Sequence, residues 1–211
     1  MRKICESNSY SYPLTKKELL REVGIETARM SYPGSMSRGP TQVVKAGTKV
    51  KLEKHFSTDF PIMEIRDKAS EIAKIYDKWH DQQTQNIGLL LKQEGCLGNK
   101  SNDEYAIGAK FLNTFMHQLM KYEWAHPLWQ KLQLPLDARV FKSFRHIGRT
   151  SLAIRKINER IKKKTAYSIS REDYKFIQEN LWEYIKELNN RPRSEFKITS
   201  RIELNYLWLF E

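Results

Sequence analysis

Asp103-Glu104-Tyr105-Ala106-Ile107-Gly108-Ala109-Lys110-Phe111-Leu112-Asn113-Thr114-Phe115-Met116-His117-Gln118-Leu119-Met120 is the stretch whose reading decides the fold. Tyr105, Ile107, Ala109, Phe111, Leu112, Phe115, Met116, Leu119 and Met120 occupy most of the circumference of a 3.6-residue helix. A helix that is apolar nearly all round belongs inside a protein, so residues 103–124 predict a buried central helix. Its polar residues Asp103, Lys110, Asn113, Thr114, His117 and Lys121 fall on one stripe, because helical neighbours recur at three, four and seven. A solvated face is the ordinary reading of such a stripe. The His and the Lys on it, and a Gly108-Ala109 step that lets another helix approach closely, make a functional face the alternative.

On the N-terminal side, Ile62, Ile65, Ala69, Ile72, Ala73, Ile75, Tyr76 and Trp79 recur at helical spacing after Pro61, and a second helical stretch continues through Ile87, Leu90 and Leu91 until Gly95 and Gly98 end it. Further back, Thr15-Lys16-Lys17-Glu18 has capping-box spacing and leads a short helix that Gly24 stops. Turns are expected at Pro33-Gly34-Ser35, Arg38-Gly39-Pro40 and Ala46-Gly47-Thr48, with Val43-Val44 and Val50 to Leu52 pairing as a hairpin. On the C-terminal side, His126-Pro127-Leu128-Trp129 opens a connecting helix, and helices follow at 138–146, 151–163, 171–188 and 200–210. Ser170 and Ser200 supply N-caps, Ser200 with Glu203 at capping-box spacing, and Asn189-Asn190-Arg191-Pro192 breaks the chain between the last two helices. The expected fold is mostly α, with an N-terminal extension at 1–60 and a helical domain at 61–211.

Composition bounds the function. With 40% hydrophobic and 29% charged residues the chain can fold around a core, and no apolar run approaches the roughly 18 residues of a membrane span. Met1-Arg2-Lys3-Ile4-Cys5-Glu6-Ser7 is basic with no apolar segment behind it, so no secretory leader is expected. Cys5 and Cys96 alone cannot ligate a four-cysteine cluster or close a structural zinc site, so no metal or cofactor is expected and the location is cytoplasmic or nucleoid-associated. A net charge of +12 points to an acidic polymer as partner. That charge concentrates at 138–164, where Arg139, Lys142, Arg145, Arg149, Arg155, Lys156, Arg160, Lys162, Lys163 and Lys164 face the single acid Glu159. Cations spaced this way neutralise backbone phosphates. Trp79, Tyr122, Trp124, Trp129 and Phe144 are candidates to stack an extruded base, packing being the ordinary role of each.

Leu134-Pro135-Leu136-Asp137-Ala138-Arg139-Val140 joins the central helix to this basic stretch. Pro135 disfavours helix before it, and Asp137 stands where an N-cap belongs. The carboxylate is either a cap alone or a cap with chemistry.

The segment 95–144 resembles the catalytic region of the helix-hairpin-helix DNA glycosylases, and in particular their archaeal 8-oxoguanine branch. The resemblance rests on Ala106-Ile107-Gly108-Ala109-Lys110-Phe111-Leu112 and on the apolar-Pro-apolar-Asp-x-Arg-Val turn that ends in Val140. It implies a helix-hairpin-helix glycosylase-like helical domain that flips a damaged or modified base, 8-oxoguanine first among them, and breaks its N-glycosidic bond. Asp137 takes the catalytic role, since a fixed carboxylate stabilises positive charge developing on the sugar. Bifunctional members add a hairpin lysine that forms a Schiff base and cuts the strand. Lys100 lies where that hairpin would fall, although Gly95 and Gly98 are separated by two residues, and Lys110 is the alternative nucleophile. With neither in place, Asp137 and water suffice. DNA, single- or double-stranded, is the implied partner, with Arg139, Lys142, Arg145, Arg149, Arg155 and Lys156 on phosphates and His117, Trp124, Trp129 and Phe144 at the base pocket. The competing expectation is a non-catalytic nucleic-acid-binding protein on the same helical scaffold.

Overall fold

A computed structural model describes residues 43–45, 47–58, 60–98, 103–190 and 197–204. In chain order these form α1 (Thr48–Thr58), α2 (Ile62–Asp67), α3 (Ala69–Lys74), α4 (Tyr76–Gln93), α5 (Glu104–Leu119), a 3-10 segment (Glu123–Lys131), α6 (Ala138–Ile147), α7 (Leu152–Arg160), α8 (Arg171–Asn189) and a short 3-10 turn (Arg201–Glu203). The architecture is mostly helical, and an isolated antiparallel bridge between Val44 and Leu97 is the β pairing among the described residues.

The central helix expected over 103–124 forms as α5 but stops at Leu119, with Met120 as its C-cap and the 3-10 segment beginning at Glu123. Asp103 opens it in extended geometry, and its carboxylate accepts from the Tyr105 and Ala106 backbone N–H groups at 2.8 and 3.3 Å. Two cores meet on this helix. Ile107, Phe111, Leu112, Phe115 and Met116 face the first, with Leu52, Phe56, Phe60, Ile62 and Ile87. Tyr105, Ala106 and Ala109 face the second, with Leu134, Leu136, Phe144, Ile154, Tyr174 and Ile177. The close approach expected at Gly108 is made by α4. The two helices run antiparallel, so that a Cβ on Gly108 would lie 2.6 Å from the Thr84 carbonyl oxygen and one on Gly88 2.7 Å from that of Glu104.

Several expectations are corrected. Val50 and Leu52 lie in α1 rather than in a hairpin, and Val44 pairs with Leu97 instead. Leu52 and Phe56 are one helical turn apart and both fully buried, Phe56 stacked on Phe115 at 4.6 Å, so burial on one face selects helix here. The stretch after Pro61 is three helices, broken at Lys68 and Ile75, where φ is −124° and −116°. Each break re-aims the next apolar pair at the core and leaves Ile75 itself 57% exposed. Ser200 makes no cap: the Glu203 carboxylate is taken by the Thr199 hydroxyl at 2.7 Å and the Trp129 indole N–H at 3.0 Å. The helix expected at 200–210 is described only as far as Leu204, and the first helix at 15–24 and the turns at 33–40 lie outside the described residues.

Candidate nucleic-acid interface

The polar stripe of α5 is not a solvated face. Lys110 and Asn113 are 8% and 2% exposed. Lys110 donates to the Tyr167 hydroxyl at 2.8 Å and lies 5.0 Å from the centre of that ring. Asn113 joins three helices, because its carbonyl oxygen is 2.8 Å from His80 Nε2 and its amide donates to the Tyr174 hydroxyl at 2.6 Å. Burial lowers the pKa of His80 to about 4, so the ring is neutral, with Nε2–H donating to Asn113. Beside it, Asp81 holds Arg171, Lys175 and the Tyr105 hydroxyl, and these partners outweigh burial to bring its carboxyl down to about 2. Asp77, His80, Asp81 and Thr84 recur at helical spacing along α4, a signal the apolar pattern of that segment conceals.

The chain leading to the Asp137 turn, from Lys131 to Leu134, is clamped from two sides. Gln178 on α8 donates to the Leu134 carbonyl at 2.8 Å and accepts from the Leu134 N–H at 3.2 Å. Arg201, only 3% exposed, donates to the carbonyls of Lys131, Leu132 and Gln178. The chain therefore arrives at Asp137 with its backbone fixed. Asp137 caps α6 through one oxygen: Oδ1 accepts from Arg139 N at 2.9 Å and Val140 N at 3.0 Å. Its other oxygen, Oδ2, lies 3.7 Å from the Arg139 guanidinium, and the side chain keeps 24% of its surface.

From that cap, α6 buries Val140, Phe141, Phe144 and Ile147 and turns Arg139, Lys142 and Arg145 outward. Gly148 ends it against Asn158, whose amide donates to the Phe144 carbonyl at 2.6 Å and holds α7 close. Arg149, Arg155, Lys156, Lys162 and Lys163 are exposed. Two of the ten cations have other work. Arg160 and Lys164 both pair with Asp173, a carboxylate 1% exposed at the start of α8, and hold its pKa below the ordinary value against the opposing effect of burial. Between α6 and α7 runs an open groove of about 380 Å³ lined by Phe141, Arg145, Arg155, Glu159, Ile161 and Lys162, together with Asn158 and Lys164. Glu159, Lys162 and Lys164 are the charged groove residues that the expected phosphate-binding set omits.

The aromatic expectations fare differently. Phe144 is fully buried beside Phe141 and is a core residue, so it offers no face to a base. Trp124 stacks on Tyr122 at 5.6 Å, Trp129 uses its N–H on Glu203, and both pack on the first core, whereas the segment around Asp137 belongs to the second. His117 is half-buried, which lowers its pKa. Lys100 lies outside the described residues. Among the described residues no cluster of side chains is placed to hold a metal ion, and no helix is long and apolar enough to cross a membrane. No protein-family model, curated protein or solved structure matches the chain.

Proposed function

We propose that this protein is a DNA glycosylase that grips backbone phosphates with the exposed faces of α6 and α7 and uses Asp137 to break the N-glycosidic bond of an extruded base. The observation that carries this is the division of labour within the Asp137 carboxylate. Oδ1 is anchored by two backbone N–H groups, while Oδ2 receives no backbone donor and stands at the head of a helix bearing Arg139, Lys142 and Arg145. A carboxylate held rigidly at a helix N-terminus presents its second oxygen in a fixed place, where it can stabilise an oxocarbenium-like sugar or activate water. Lys110 is buried against Tyr167, which argues against it as the Schiff-base nucleophile, and hydrolysis by Asp137 and water is the mechanism proposed.

The test is base release from single- and double-stranded oligonucleotides carrying 8-oxoguanine, uracil, alkylated or hydroxymethylated bases, comparing wild type with Asp137→Asn. Release by wild type and none by the variant is expected, with strand breaks appearing only after alkali. Breaks without alkali, abolished by Lys100→Ala or Lys110→Ala, would replace water by a lysine nucleophile. Salt-sensitive binding with no release across the panel would favour the second reading, a non-catalytic nucleic-acid-binding protein, which the complete cap made by Oδ1 already accommodates.

A further inference from the structure

We infer that the groove between α6 and α7 holds one unpaired nucleotide of a single strand, guanine by preference, with its phosphates on Arg145, Arg155 and Lys162 and its base edge on the Glu159 carboxylate. The inference rests on the nucleic-acid reading above and narrows it to a substrate class.

The shape of the groove comes first. It is concave, and Phe141 and Ile161, 4% and 6% exposed, supply an apolar base that the stems of Arg145, Arg155 and Lys162 extend. A duplex presents phosphates and sugars with its base faces stacked away, so it would touch the cationic rim and leave that base unused. An unstacked nucleotide offers both a phosphate for the rim and an aromatic face for the base of the groove.

Charge decides the rest. Arg145, Arg155 and Lys162 make no ion pair among the described residues, whereas Lys164, on the same groove, is committed to Asp173. Glu159 is the single acid of 138–164, and it is exposed, with no ion pair and no hydrogen bond among the described residues despite cations one turn to either side. In a groove serving phosphates alone, a carboxylate weakens binding by repulsion. Facing a base, its two oxygens accept two adjacent donors. Unpaired guanine presents such a pair, N1–H beside its amino group. Adenine and cytosine carry a ring acceptor beside their amino group, and thymine a lone N–H between two carbonyls. In a duplex the guanine donors are consumed by pairing, so groove shape and Glu159 select the same substrate.

The experiment is fluorescence anisotropy with the full chain and equal-length thymine oligonucleotides carrying one central guanine, adenine or cytosine, a blunt duplex, and a polyglutamate peptide, over a salt series. The guanine strand is expected to bind about tenfold more tightly than the other strands, in line with one bidentate base contact. Glu159→Gln should erase that ratio without weakening the adenine strand. Arg155→Ala and Lys162→Ala should weaken every strand and each lower the salt slope by about 1. Duplex binding as tight as single-strand binding, or a guanine ratio unmoved by Glu159→Gln, overturns this inference while leaving the nucleic-acid reading in place. Failure to bind any nucleic acid, or equal binding of polyglutamate, overturns both.

Discussion

Asp137 carries two roles that one pair of substitutions separates. Alanine removes the acceptor of the Arg139 and Val140 N–H groups and should cost about 1 kcal/mol of stability in urea denaturation. Asparagine caps nearly as well as aspartate, so Asp137→Asn should unfold within about 0.5 kcal/mol of wild type. If base release disappears in a variant of undiminished stability, the carboxylate has chemistry beyond the cap; if release persists, it does not. Gly108 poses the opposite question, since alanine in a helix is ordinarily favourable by about 1 kcal/mol. Here the new Cβ meets the Thr84 carbonyl at 2.6 Å and the Gly88 nitrogen at 3.0 Å, both backbone atoms that cannot swing aside. Gly108→Ala should therefore destabilise by about 2 kcal/mol through overpacking, and a variant as stable as wild type would mean that α4 and α5 are not locked at this crossing. The glycine was legible as a point of approach from its place in an apolar run. Which helix approaches it was not, because Thr84 and Gly88 carry no mark of the partnership in one dimension.

At the scale of elements, the legible features are the ones decided within a turn of chain. Asp103, Asp137 and Ser170 all cap the helices they precede, Ser170 in a full capping box with Asp173. Where distant partners compete, local signals mislead: Glu203 stands at the right spacing for Ser200 and is claimed instead by Thr199 and by Trp129, 74 residues away. The breaks at Lys68 and Ile75 have neither proline nor glycine to announce them. The basic face is similar in kind: a run of cations is visible in sequence, yet the commitment of Arg160 and Lys164 to Asp173 needs α8 folded against α7. The clamp on the Asp137 turn is also long-range, linking positions 44 residues apart. Gln178→Leu keeps the volume but orphans the buried N–H and carbonyl of Leu134, at roughly 1–3 kcal/mol for each group. The expected result is a loss of about 2–6 kcal/mol in urea denaturation. Loss of activity greater than loss of folded protein at working temperature would show that the clamp positions Asp137 as well as stabilising the fold.

The whole molecule is two apolar cores joined along α5 by a polar layer, and that layer gives stability a dependence on pH. His80 on α4, Asn113 on α5 and Tyr174 on α8 are hydrogen-bonded in series, and His80 is 1% exposed. Burial is the main reason its pKa falls to about 4; Arg201 pushes the same way, while Asn113, Asp77 and Asp81 oppose it. Above the ordinary histidine value of 6.5 both the folded and unfolded chains leave this ring neutral. Below it the unfolded chain takes up a proton that the fold refuses, so stability declines as pH falls from about 6.5 and levels off below about 4. The full drop attributable to His80 is about 3 kcal/mol. Asp81 acts in the next window, because a carboxyl held down to about 2 stabilises the fold above the ordinary 3.8 and loses that contribution as pH falls further. Urea melts at successive pH values should therefore show two consecutive declines. His80→Asn removes the titrating ring, at some cost in packing, and should flatten the first decline to the smaller slope left by His117, whose lowered pKa has the same sign. The second decline should remain, and a His80→Asn protein that still lost the full amount between pH 6.5 and 4 would move the sensitivity away from this layer.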